Sequence, residues 1–115
     1  MILNYFSISE FECKYSGLNE MDEEFLNRLD RLRGLCGFPF VITSGFRSTM
    51  HPVESVKEKG GTHTQGIAAD IAISNGLERY KIIKFALQLG FTGIGVAKNF
   101  VHVDTRKTTP VIWNY

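Results

Sequence analysis

The sequence predicts an α+β fold: a small, largely antiparallel sheet with flanking helices. Three observations carry that prediction. Two stretches, from about Asp22 to Cys36 and from about Leu77 to Leu89, combine helical apolar spacing with capping residues. Short apolar runs bounded by Gly, Pro and Asn read as strands. Taken along the chain, the order helix, strand, strand, helix, hairpin indicates α+β.

The elements follow in order. Tyr5 to Lys14 reads as an irregular arm with Ile8 and Phe11 pointing inward. In the first helix Asp22-Glu23-Glu24 meets the positive end of the helix dipole. Phe25, Leu29, Leu32 and Cys36 line one apolar face, and Gly37 supplies the stop. Pro39 cannot continue the helix, and Phe40-Val41-Ile42-Thr43 reads as a buried strand. Ser44 to Ser48 forms a turn. Thr49 to Thr62, polar and containing Pro52, Gly60 and Gly61, reads as a surface excursion with a short helix near Val53 to Lys57. Gly66 to Ile73 is a second strand carrying small residues. Asn75 caps the second helix with Glu78 three residues later, and Gly90 ends it. Phe91 to Val96 and Phe100 to Asp104 read as a hairpin turning at Ala97 to Asn99, and Val111-Ile112-Trp113 as an edge strand or a segment beside the site.

At 115 residues the chain fits a single domain, 1–115, with residues 1–20 as an arm packed on it. Hydrophobic content of 43% and charged content of 22% are those of an ordinary globular protein. A net charge of +1, without a basic run, gives no support for a nucleic-acid partner. The N-terminus lacks the pattern of a signal peptide and no segment reaches membrane-spanning length, so cytoplasmic synthesis without membrane insertion is expected. Cys13 and Cys36 form no Cys-x-x-Cys pair, and Cys36 reads as a reduced, buried thiol. A monomer is expected.

Chemistry concentrates in His63, Asp70 and His102. Two imidazoles and a carboxylate form the ligand set of a catalytic zinc site with a fourth position left for water. Strand alternation puts His102 and Asp104 on one face and Val101 and Val103 on the other, with Asp70 and Ala72 opposite Ile71 and Ile73. If the two strands are neighbours, Asp70 and His102 converge, and His63 returns over the Gly66 turn to complete the set. Arg47, presented at a strand-end turn, has the fixed charge and forked donors to grip a carboxylate or a developing oxyanion. Singly, each residue has a plainer reading as a structural or surface side chain; the combination points to one site.

Val41-Ile42-Thr43-Ser44-Gly45-Phe46-Arg47-Ser48, His63-x-x-Gly66-x-Ala68-x-Asp70-Ile71 and Val101-His102-Val103-Asp104 together resemble the zinc D-Ala-D-Ala carboxypeptidase family, peptidase family M15, which includes phage murein endopeptidases. The resemblance runs from the first helix to Trp113 and is greatest to the short single-domain branch common in phages and prophages. It implies the Hedgehog/DD-peptidase fold, one Zn2+ per chain held by His63, Asp70 and His102, and Arg47 contacting substrate. The implied reaction is hydrolysis of an amide bond in peptidoglycan stem peptides, by an endolysin or tail-associated lysin acting on the wall after release or within a virion. Ser44, His51 and Trp113 are the further substrate-binding candidates.

The chain departs from the family at two places. Many members carry an Asp or Glu three residues before the second zinc histidine, where this chain has Asn99, whose amide cannot accept the proton. Asp104 is then the candidate general base, or alternatively the group that orients a ligand histidine. Pro52 replaces the asparagine that often follows the histidine at position 51. The competing function is a zinc-binding but catalytically weak cell-wall-binding or phage tail structural domain.

Overall fold

The computed structural model describes residues 2–48 and 61–115. Thr49 to Gly60, with His51 and the short helix expected near Val53 to Lys57, lies outside the described residues.

Helix α1 spans Glu23–Cys36, and its ends are built as the sequence implies. The Asp22 carboxylate accepts from Phe25 N at 2.9 Å, and Gly37 closes the helix in the left-handed conformation that glycine adopts without penalty. Helix α2 spans Gly76–Gln88, capped by the Asn75 side chain, which accepts from Glu78 N at 2.9 Å. Glu78 answers by accepting from Ser74 N at 2.8 Å.

Among the described residues, five strands form one sheet: β1 (Ile42–Ser44), β2 (Ala68–Ala72), β3 (Gly93–Val96), β4 (Phe100–Asp104) and β5 (Val111–Asn114). Their order is β1-β2-β4-β3-β5, with every neighbouring pair antiparallel except β3 and β5. The sheet is therefore mixed, and β5 occupies an edge. The 105–110 connection crosses the end of β3, where Thr92 Oγ1 donates to the Arg106 carbonyl at 2.7 Å and Val111 N to the Thr92 carbonyl at 2.9 Å. That crossing sets β5 parallel to β3.

One sheet face carries Ala69, Ile71, Ile94, Val101 and Val103 into a core shared with Phe25, Leu29 and Leu32 of α1 and Ile82 and Ala86 of α2. Pleat alternation then turns Asp70, His102 and Asp104 to the other face. The strands are shorter than their apolar runs: Phe40 and Phe91 are buried anchors just outside the ladder.

The arm differs from expectation at one residue. It contains a 3-10 turn, Ile8–Phe11, in which Phe11 is buried but Ile8 is 48% exposed. Phe6 takes the inward place, its ring centroid 5.4 Å from that of Phe11. Gly45 packs so closely on the Phe11 backbone that a Cβ there would collide, and Phe46 N donates to the Phe11 carbonyl at 2.8 Å. The arm is thereby joined to the turn that carries Arg47. Both cysteines are buried free thiols. Among the described residues no helix is long and apolar enough to cross a membrane.

Candidate metal centre

Asp70 and His102 are directly opposite partners on the central strands β2 and β4. His63 arrives on the turn before β2, which Gly66 closes at a φ of 72°. A Cβ on Gly66 would strike the backbone of Glu20, and its carbonyl accepts from Asp22 N at 2.8 Å, so the turn is seated against the start of α1. One ligand atom from each of His63, Asp70 and His102 lies within 4.8 Å of the others, and all three residues are buried.

The hydrogen bonds determine which ring nitrogens face inward. His63 Nδ1 lies 2.8 Å from the Gly45 carbonyl, an acceptor only, so Nδ1 carries the proton and Nε2 faces Asp70 Oδ1 at 3.3 Å. His102 Nε2 donates to Asp104 Oδ2 at 2.7 Å, which turns Nδ1 toward Asp70 Oδ1 at 3.0 Å. Nε2 of His63, Nδ1 of His102 and a carboxylate oxygen thus converge, each outward nitrogen held by an acceptor. This borderline N/N/O donor set fits a divalent transition metal. A metal at this point would take the place of the proton on His102 Nδ1.

Electrostatics follow from the same contacts. Burial pushes the Asp70 carboxyl up, but hydrogen bonds and charge from His102 and His63 outweigh it and hold the group well below the usual carboxylate range. Asp104 is likewise held low, burial being outweighed by His102 and Arg106. Burial opposes charging of His102, yet its hydrogen bonds to Asp104 and Asp70 and their charges raise its pKa. The stabilisation from His102 is therefore full below its unfolded pKa of about 6.5 and is lost as pH rises through the folded value. That from Asp70 and Asp104 is present above about pH 4 and is lost as pH falls toward their depressed values. Chelated protein is accordingly expected to resist urea better near about pH 5.5 than near about pH 8. Higher stability at the alkaline end would show that His102 does not gain a proton on folding.

Asp104 has no exposure. Its Oδ1 accepts from Arg106 N and Nε at 3.0 Å each, and its Oδ2 from Arg106 Nη2 and His102 Nε2 at 2.7 Å each. Asn99, three residues before His102, is exposed on the β3–β4 turn.

An open cleft of about 1050 Å3 lies over the triad, with Arg47, Gln65, Arg106, Lys107, Trp113 and Tyr115 on its walls. Arg47 Nε donates to Ser44 Oγ at 3.1 Å, and Nη2 stands 3.6 Å from Asp70 Oδ2. Ser44 thus bonds the arginine. Trp113 is half-buried, its ring centroid 5.1 Å from that of His102. The structure brings His63, Asp70, His102, Arg47 and Trp113 to one cleft and places Asp104 beneath it. Sequence reasoning missed Arg106 and Tyr115. For Arg106 the signal was present, because His102-x-Asp104-x-Arg106 continues the strand's alternation by one step.

The family model described as Peptidase M15 matches residues 4–104. No curated protein matches the sequence. The chain belongs to the peptidase M15 family, a family of metallopeptidases.

Proposed function

We propose that the protein is a zinc-dependent peptidase that hydrolyses an amide bond in peptidoglycan stem peptides, as a D,D-carboxypeptidase or an endopeptidase. The observation that carries the reading is the buried triad, in which Gly45 and Asp104 fix the two imidazoles so that Nε2 of His63 and Nδ1 of His102 meet Asp70. Zinc bound there supplies Lewis-acid chemistry, activating water and polarising the scissile carbonyl. Arg47, steadied by Ser44, offers its guanidinium to a substrate carboxylate or developing oxyanion. Trp113 and Tyr115 supply an aromatic wall for the stem peptide. Resemblance to the short single-domain branch supports a phage or prophage origin and a role as endolysin or tail-associated lysin, acting on the wall after release or within a virion.

Between the two roles open to Asp104, its geometry favours orienting His102 over accepting the substrate proton. A general base must reach the reacting proton directly or through one water. The Asp104 oxygens are buried and already accept from His102 and Arg106. Among the described residues, the carboxylates on the cleft besides Asp70 are also engaged, Asp22 in capping α1 and Glu24 with Arg28 at 2.9 Å. That engagement, with Asn99 out on a turn, favours as a second reading a zinc-binding wall or tail domain of low activity.

Digestion of purified peptidoglycan, read by fragment mass, decides between them. Release of terminal D-Ala marks a carboxypeptidase, and loss of cross-linked dimers an endopeptidase. His63→Ala is expected to abolish either product together with stoichiometric zinc. Asp104→Asn is expected to lower zinc content and rate together. Lost activity at full zinc occupancy would instead make Asp104 the base. A zinc-loaded wild type that releases nothing would establish the binding reading.

A further inference from the structure

Among the charged side chains on the walls of the cleft, Arg106 is used by neither the triad nor the substrate reading. Arg106 lies just beyond β4, and its backbone is pinned by the Thr92 hydroxyl on its carbonyl at 2.7 Å. Its side chain folds back onto Asp104 instead of reaching into solvent. Nη2 and Nε meet Oδ2 at 2.7 and 3.2 Å, while Nε and the backbone N meet Oδ1 at 3.0 Å each. Four donor contacts on one carboxylate leave it little freedom to turn. The guanidinium also lies 5.0 Å over the Trp113 ring, and Trp113 in turn abuts His102.

We propose that Arg106 is a positioning residue of the metal centre, gripping Asp104 so that the carboxylate holds His102 Nε2 and aims His102 Nδ1 at the metal. The inference rests on the metal centre of the reading above and is independent of which bond is cut. The requirement is both electrostatic and geometric. Asp104 has no exposure and shares the imidazole of His102 with a second carboxylate, Asp70, so a fixed opposite charge beside it is needed to hold it in place. Guanidinium supplies that charge as a planar fork matched to the carboxylate, whereas the ammonium of lysine supplies charge without the fork. A hydrogen-bonded carboxylate behind a ligand histidine fixes its tautomer and raises its basicity, and loss of such a partner costs about 10- to 100-fold in metal affinity. Arg106 extends this support outward by one residue.

The test is a cobalt(II) titration of the full chain, followed by visible absorption and by emission of Trp113, the chain's one tryptophan. Arg106→Ala is expected to weaken cobalt binding by about 10- to 100-fold and to alter the cobalt spectrum. Arg106→Lys is expected to recover part of the loss. In an Asp104→Asn background the same Arg106→Ala change should add less than about threefold, because the two residues act in series. Should Arg106→Ala fail to fold, Arg106→Gln carries the comparison. Unchanged cobalt affinity and spectrum, with only a lower melting temperature, would reduce Arg106 to a structural role and overturn the proposal. So would a raised KM at unchanged cobalt affinity, or full additivity in the double variant. A wild type that takes up no cobalt would sink the metal centre and the proposal with it. A wild type that binds cobalt but leaves peptidoglycan intact would sink the peptidase reading alone, and the affinities would still decide Arg106.

Discussion

Asp70→Asn is expected to lower metal affinity by about a thousandfold or more, well beyond the loss from a supporting residue. The substitution keeps the side chain's volume and one acceptor oxygen, and turns the other into an amide donor, a local change that the fold should survive. It removes the one anionic ligand among the three. Asp70 Oδ1 lies within 3.3 Å of both inward nitrogens, and Oδ2 faces Arg47 Nη2 at 3.6 Å. Asparagine leaves two neutral imidazoles beside a cationic guanidinium, an environment that repels a divalent ion. Peptidoglycan hydrolysis should fall in parallel. Metal analysis after gentle purification provides the check, with Trp113 emission as a second probe. One equivalent of zinc retained by Asp70→Asn would remove Asp70 from the ligand set.

The largest effect on stability is expected away from the ligands, at Gly93. This residue pairs with Asp104 in β4 and Val111 in β5, and a Cβ on it would run into the Asp104 carboxylate. Alanine therefore forces a choice. Either β3 shifts, an overpacking cost of about 1–3 kcal/mol, or Asp104 moves and breaks a buried ion pair, at about 3–5 kcal/mol. Gly93→Ala is expected to lose about 3 kcal/mol in urea unfolding and to weaken metal binding as His102 loses its support. Gly95 makes a useful control. A Cβ there meets the rings of Trp113 and Tyr115, on and just beyond the edge strand, which can swing aside. A Gly93→Ala protein within about 0.5 kcal/mol of wild type would mean that Asp104 has room to spare.

Signals contained within a few residues were legible in the sequence. Asp22 and Gly37 bracket α1, Asn75 and Glu78 open α2, and the alternation of Phe100 to Asp104 assigns its faces correctly. The convergence of Asp70 and His102 was legible as a condition, that β2 and β4 be neighbours, which the sheet order meets. What was hidden depends on pairing between distant segments. The run Val111 to Trp113 reads as an edge strand, but its parallel alignment with β3 is set by the crossing at Thr92. Ile8 and Phe6 are equally apolar, and only the tertiary packing of Phe11 selects Phe6. Arg106 was passed over because it follows the strand's last residue, where a basic side chain ordinarily reaches into water.

The cross-strand pairing of Asp70 with His102 ties metal supply to folding itself. The two residues are 32 positions apart and meet only when the central strands have zipped together, so the unfolded chain has no comparable site. An ion that binds only the native state stabilises it by mass action, by about 2.7 kcal/mol when free ion stands a hundredfold above its Kd. For a domain of this size that is a sizeable share of a typical stability of about 5–15 kcal/mol. A chain made where the ion is scarce would persist as a softer, more readily degraded population, and would harden on reaching surroundings that supply it.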